Sequence, residues 1–250
     1  MAASEANSAT FASRPEHLRL ETVFFPFMAL LLVAAVVLGF ARTFFLAPMY
    51  HYHLPNLLVA VHGVVFASWI AVFAIQTSLV AAGRVDLHRK LGAFGAVMVG
   101  LVFVMAYAVM LEGLHRGFTP LAKDEAQILA LDVVGVNASF AMFVAGLLLR
   151  RNPGFHKRLM LYGTIGMVGP AIARWPFAFI ASRPSLVGIV LQLFGAAVIV
   201  FDLLTRRRVH RATWVGMATL FAVPLIAIPM AGAAFWVNLL ASLKQLLTRF

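Results

Sequence analysis

LLVAVHGVVFASWIAVFAIQTSLVAA, spanning Leu57–Ala82, contains no Asp, Glu, Lys or Arg. A helix needs about 20 apolar residues to cross the roughly 30 Å of hydrocarbon in a bilayer, and this run exceeds that. Six further runs of the same kind lie on either side of it: Thr22–Ala41, Leu91–Leu111, Ala126–Leu149, Leu159–Ser182, Pro184–Phe201 and Ala212–Leu239. The last carries Pro224 and Pro229, so a kink or tilt is expected there. The sequence therefore predicts an all-α polytopic membrane protein of about seven transmembrane helices. It divides into a polar tail (residues 1–20), a bundle (21–243) and a short C-terminal tail (244–250). The N-terminal tail lacks a basic start leading into a short apolar core, so no cleaved signal peptide is expected.

Composition agrees. Hydrophobic residues make up 62% and charged residues 12% of the 250-residue chain, and mean hydropathy is +0.94. A soluble domain has about 25% charged residues, so a water-soluble globule, a disordered chain and a coiled coil are excluded. Cys is 0, which excludes disulfides, Cys-ligated zinc, iron–sulfur clusters and thiol nucleophiles.

The net charge of +11 has a topological cause. Seven spans put the termini on opposite sides, and one side then holds most of the 20 Lys and Arg residues. They are Arg14 and Arg19; Arg84, Arg89 and Lys90; Arg150, Arg151, Lys157 and Arg158; and Arg206, Arg207, Arg208 and Arg211. That side is expected to face the cytoplasm, giving N-in/C-out in the cell inner membrane. The partner of these cations is the lipid bilayer and not nucleic acid, because they sit at span ends where anionic headgroups attract them. Trp214 falls near the inner interface and Trp175 and Trp236 near the outer one, as indoles prefer. Trp69 falls mid-span, where its N–H needs a partner.

Three inner loops end alike: Leu87-His88-Arg89-Lys90-Leu91, Phe155-His156-Lys157-Arg158-Leu159 and Val209-His210-Arg211-Ala212. Each opens an outward-going span, as if a helical hairpin followed the lone first helix three times. Gly95 and Gly163 follow their histidines by seven residues and Gly216 by six; Gly92, Gly100, Gly166 and Gly169 extend the small-residue faces, which let backbones approach. Two accounts of His88, His156 and His210 stand side by side. They anchor helices at headgroup level, or their imidazoles, kept neutral at helix starts, converge on haem or a metal, with the glycines leaving room for a flat macrocycle.

A second layer lies in the outer half of the spans. His62, Glu112, Asp132, Arg174 and Gln192 share a depth by helical rise, with Asn137 and Trp69 deeper. Ionisable residues at such depth face the bundle interior and pair with one another. Asp132 and Arg174 are expected to neutralise each other, either as a structural ion pair or as part of a ligand- or proton-handling site. Just before the second span, His51 and His53 with His62 offer a weaker possibility, a copper or zinc site.

The stretch Leu54-Pro55-Asn56-Leu57-Leu58, His62-Gly63, Trp69, Gln76, Gly83-Arg84 and Leu87-His88-Arg89-Lys90-Leu91-Gly92 resembles a family of uncharacterised bacterial multi-pass membrane proteins. That likeness covers about 40 residues and implies the fold alone. The chain is also similar, more distantly, to the ascorbate-dependent b-type transmembrane cytochromes, which hold two haems with histidines on four consecutive spans. That similarity implies His62 and His88 as the first ligand of each haem and His156 as the partner of His88. The fourth span offers Asp132 and Asn137 in place of a histidine partner for His62.

Other chemistries are absent from the text. A retinal Schiff base needs a mid-membrane Lys, but Lys90, Lys123, Lys157 and Lys244 lie at span ends or in loops. There is no phosphate-binding G-x-x-x-x-G-K-[ST], no His-Glu-x-x-His and no Gly-x-Ser-x-Gly. The loops are too short for a catalytic domain, so an enzyme is not favoured. Two functions remain: a bundle that binds or transports a small solute or assists assembly, working through the outer polar layer; or a b-type cytochrome with His88 and His156 as axial ligands.

Overall fold

In the computed structural model of the protein, which describes residues 16–117, 124–183 and 185–247, the decisive run is helical over Leu57–Ala81. Asn56 caps it, its side chain accepting from the Val59 N–H at 3.0 Å, which satisfies one of the free donors at a helix start. Among the described residues every regular element is helical: α1 (Glu16–Phe40), α2 (Leu57–Ala81), α3 (Val85–Arg116), α4 (Glu125–Leu148), α5 (Pro153–Met167), α6 (Gly169–Ile172), α7 (Ala178–Ser182), α8 (Ser185–Arg206), α9 (Arg211–Ala231) and α10 (Ala234–Leu247), with a π turn and a 3-10 turn over 41–50. Arg14, Lys123 and Arg249 of the charge count, Pro184 and most of the N-terminal tail lie outside the described residues.

Six of these helices are long and apolar enough to cross a membrane: α1 with its π turn, α2, α3, α4, α8 and α9. Their outward faces carry Leu57, Val97 and Leu225 at 70–78% exposure. Apolar surface on this scale is stable against hydrocarbon and not against water.

The expected fifth span is different. It is shorter, and Pro170, lacking an N–H, interrupts it after Met167. The helical path ends at Ile172 instead of reaching Ser182, and a turn over 173–177 leads to α7. α5 is also the hub. It packs on α4, α8, α9 and α1 and buries Arg158, Leu159, Leu161, Tyr162, Gly163, Thr164 and Ile165. A helix surrounded by protein needs no apolar exterior, which is why its own text is polar.

The expected seventh span also divides. α9 ends at Ala231, and α10 turns to pack on α3, α4 and α9. Trp236 fixes it, donating its indole N–H to the Ala126 carbonyl at 3.0 Å, and Lys244 pairs with Glu125. The third span is longer than expected because Val85–Lys90 and Glu112–Arg116 are helical too.

Candidate functional site

Two ends of the bundle carry polar groups. At one end α3 and α5 begin, and His88 and His156 are each the fourth residue of their helix. Their ring centres lie 6.1 Å apart with planes inclined at 79°. His156 Nδ1 lies 2.8 Å from the Gly146 carbonyl oxygen. A carbonyl only accepts, so Nδ1 carries the proton and a neutral His156 presents the Nε2 lone pair. His88 differs: its Nδ1 is buried without a hydrogen-bond partner. α3 packs on α2 and α4, and α5 on α4, with no extensive packing of α3 on α5. The two imidazoles therefore come together from helices that are not themselves extensively packed on each other.

The glycines of these helices divide into two kinds. A Cβ at Gly163 or Gly216 would lie within 2.5 Å of the Phe143 or Tyr162 ring, and one at Gly166 would lie 2.5 Å from Ser139 Oγ. Those glycines are required by the protein's own atoms. Gly92 and Gly95 are not: a Cβ there would meet Gln76 Nε2 at 3.6 and 3.9 Å, an ordinary contact. Alanine would fit both sites and suit the helix better; the two glycines lie where α3 packs on Gln76 and Val72 of α2.

His210 does not join the pair. It caps α9, its Nδ1 accepting from the Ala212 N–H at 3.1 Å, and its ring lies against Phe155 at 4.9 Å. Burial, reinforced by the charges of Arg158 and Arg206 and opposed by Asp202, holds its pKa below the usual histidine value.

Beside it lies a network the sequence did not announce. Arg158 and Asp202 form an ion pair at 0% exposure. Asp202 also accepts from Thr213 Oγ1 and, at 3.0 Å, from the His210 N–H. Arg158 donates further to the Gly154 carbonyl at 3.1 Å. Glu21 of α1 completes the layer, bonded to Lys157 at 2.6 Å and Arg206 at 2.8 Å. Asp202 lies one residue past the sixth apolar run, which ends at Phe201. An acid directly continuing an apolar run was the available signal.

At the opposite end the expected outer layer is present in level but not in pairing. Asp132 and Arg174 feel each other's charge, yet no ion pair joins them among the described residues. Arg174 instead donates to the Pro170 carbonyl at 2.8 Å and lies over the Phe40 ring at 5.2 Å. His62 Nδ1 is 3.4 Å from the Met105 carbonyl and its ring lies on Phe66. Asn56 bonds Glu112, which also holds Arg116 at 2.9 Å. Asn137 bonds Tyr107. Trp69 Nε1 and Gln192 Oε1 are buried without partners. His51 and His53 are exposed, and no group of three or more potential metal-ligating side chains occurs among the described residues.

Fold and site together define a helical membrane bundle with a polar interior at both ends. No family model, curated protein or solved structure matches the chain.

Proposed function

We propose that the chain is a membrane-embedded electron-transfer protein that holds one haem b between His88 and His156. The observation that carries this reading is the 6.1 Å separation of two imidazoles presented by different helices. Two imidazoles sharing one metal ion, each at a metal–nitrogen distance of about 2.0–2.1 Å, would stand with their ring centres roughly this far apart. One further detail supports the reading: a carbonyl fixes the His156 tautomer, as second-shell bonds do for ligating histidines. Haem so bound supplies reversible one-electron chemistry. The protein's part is to hold the ligands, exclude water and set the polarity around them.

The same reading includes seven crossings with the N-terminus inside the inner membrane. Asp202 and Arg206 of α8 meet Arg158 and Glu21, so the Ser185 end of α8 lies at the far end of the bundle. The path 153–172 through α5 and α6 then carries the chain across, a crossing that length and hydropathy alone do not register. The basic loops at the His88 end support that end as cytoplasmic.

A second reading, a bundle without a prosthetic group that binds a small solute in its outer layer, is favoured by the unpaired Asp132 and Arg174. One experiment separates the two. The protein, purified in mild detergent from haem-replete cells, is expected to show a Soret band that shifts on dithionite reduction and is absent from His88→Ala and His156→Ala. A colourless, folded preparation overturns the haem reading and leaves the outer layer as the working site.

A further inference from the structure

The C-terminal end of α2 carries a shallow groove of about 380 Å³ along Ala74, Ile75, Ser78, Leu79 and Ala82. Ile75, Ser78 and Ala82 are exposed, so the groove lies on a face that meets lipid. A cation stands at its mouth. Gly83 takes a positive φ of 75°, and the helix closes with the Gly83 N–H on the Val80 carbonyl at 3.1 Å and the Arg84 N–H on the Leu79 carbonyl at 2.8 Å. This glycine-terminated cap folds Arg84 back onto Leu79, a residue of the groove wall. The Arg84 side chain is 58% exposed, and its acidic neighbour Asp86 is 3.5 Å away and as exposed, a contact too long and too wet to neutralise it.

One turn into the span lies a hydroxyl without an acceptor. Thr77, Thr205 and Thr219 donate to a carbonyl three or four residues earlier in their own helices, at 2.9, 2.7 and 2.8 Å. Ser78 does not. The Ala74 carbonyl it would use already takes the Thr77 hydroxyl, and no hydrogen bond joins the Ser78 hydroxyl to any described residue. A hydroxyl facing hydrocarbon costs free energy until it finds an acceptor. We infer that this face of α2 is a binding site for one anionic phospholipid: its phosphate at Arg84, a glycerol-ester carbonyl accepting from the Ser78 hydroxyl, and an acyl chain along Ala74 and Ile75.

The order of groups along the helix selects this occupant. By helical rise Ser78 lies about 6 Å deeper in the span than Ala82, and Ala74 about 6 Å deeper again. Cation, hydroxyl donor and apolar groove thus follow one another as phosphate, ester and hydrocarbon do in a lipid. A second copy of the chain docked through the same groove would instead bring Arg84 and the exposed Arg89 and Lys90 against their own counterparts, a like-charge contact. The lipid site uses none of the groups between His88 and His156 and stands independently of the haem reading.

The test is native mass spectrometry of the full-length protein in detergent, titrated with phosphatidylglycerol or phosphatidylethanolamine of matched acyl chains. Wild type is expected to bind the first phosphatidylglycerol about fivefold more tightly, the scale of one basic residue at a membrane surface. Arg84→Gln is expected to lose that preference. Ser78→Leu, which fills the groove, is expected to weaken binding of both lipids. Ser78→Ala, which keeps the groove and removes the hydroxyl, is expected to weaken both to a lesser degree. Arg208→Gln removes an exposed cation from another loop and is expected to match wild type. All three positions are exposed, and circular dichroism of each variant checks that the fold is kept. Equal loss of preference in Arg84→Gln and Arg208→Gln overturns the site and leaves overall charge as the cause. A wild type indifferent to the headgroup, or unchanged binding in both Ser78 variants, overturns it as well. A dimer peak abolished by Ser78→Leu assigns the groove to a second copy and overturns the lipid.

Discussion

At the scale of single residues, the most consequential group is Asp202. Two charges taken fully out of water are held by mutual attraction and by the hydrogen bonds that saturate the carboxylate. Removing one partner strands the other, so Asp202→Ala is expected to destabilise the bundle by about 3–5 kcal/mol. Replacing both partners with apolar residues, Arg158→Met with Asp202→Leu, is expected to cost less than the single change. Unfolding in detergent, followed by circular dichroism, checks both; equal losses would mean the pair is not the clasp. His210 gives a pH dependence of known sign. Its Nδ1 accepts the Ala212 N–H only when unprotonated, and its folded pKa lies below the ordinary value of 6.5. The unfolded chain then binds the proton more readily than the folded one. Stability is therefore full above about pH 6.5 and falls as pH drops from there towards the folded pKa. His210→Asn, which keeps a capping oxygen, is expected to flatten this slope in unfolding temperatures measured between pH 5 and 8; an unchanged slope would assign it to another group.

At the scale of helices, two glycines with different surroundings make a sharp contrast. Gly95→Ala meets only Gln76 and Val72, each at 3.9 Å, and alanine is the better helix former by about 1 kcal/mol. The variant is expected to be as stable as wild type or more so. Gly216→Ala would push into the Tyr162 ring at 2.2 Å and is expected to destabilise the α5–α9 contact. Unfolding temperatures of the two variants in detergent check the contrast. The sequence spoke unevenly about these elements. Runs facing lipid, such as Leu57–Ala81, were legible because the solvent itself demands apolar side chains all round. α5 is harder to read because its surroundings are protein, and Arg158, Tyr162 and Thr164 find partners there. The repeated His-Arg-Lys and His-Lys-Arg text marks His88 and His156 as alike at helix starts but not which histidines meet; the rings of His88 and His156 lie 6.1 Å apart while His210 caps α9. The expected Asp132–Arg174 ion pair does not form, because helical rise fixes a residue's level but not the direction its side chain takes, and Arg174 donates to the Pro170 carbonyl instead.

At the scale of the molecule, the clasp of Glu21, Lys157, Arg158, Asp202 and Arg206 ties α1, α5 and α8 at the His88 end, while the opposite end has Trp175 donating to the Ala35 carbonyl at 3.0 Å and α10 laid across α3 and α4. The number of crossings follows from whether 153–172 traverses the bilayer. If it does, Arg151 and Arg208 lie on one side and Ser182 on the other; if it does not, Arg151 and Arg208 lie on opposite sides. The absence of Cys from the chain makes single introduced thiols clean reporters. Arg151→Cys, Ser182→Cys and Arg208→Cys all fall at exposed positions. A membrane-impermeant maleimide applied to intact cells is expected to label Ser182→Cys alone, with the other two labelled only after permeabilisation. Labelling of Arg151→Cys and Arg208→Cys from opposite sides would be incompatible with the Arg158–Asp202 and Arg206–Glu21–Lys157 pairs, which hold both loops at one end, and would overturn this topology.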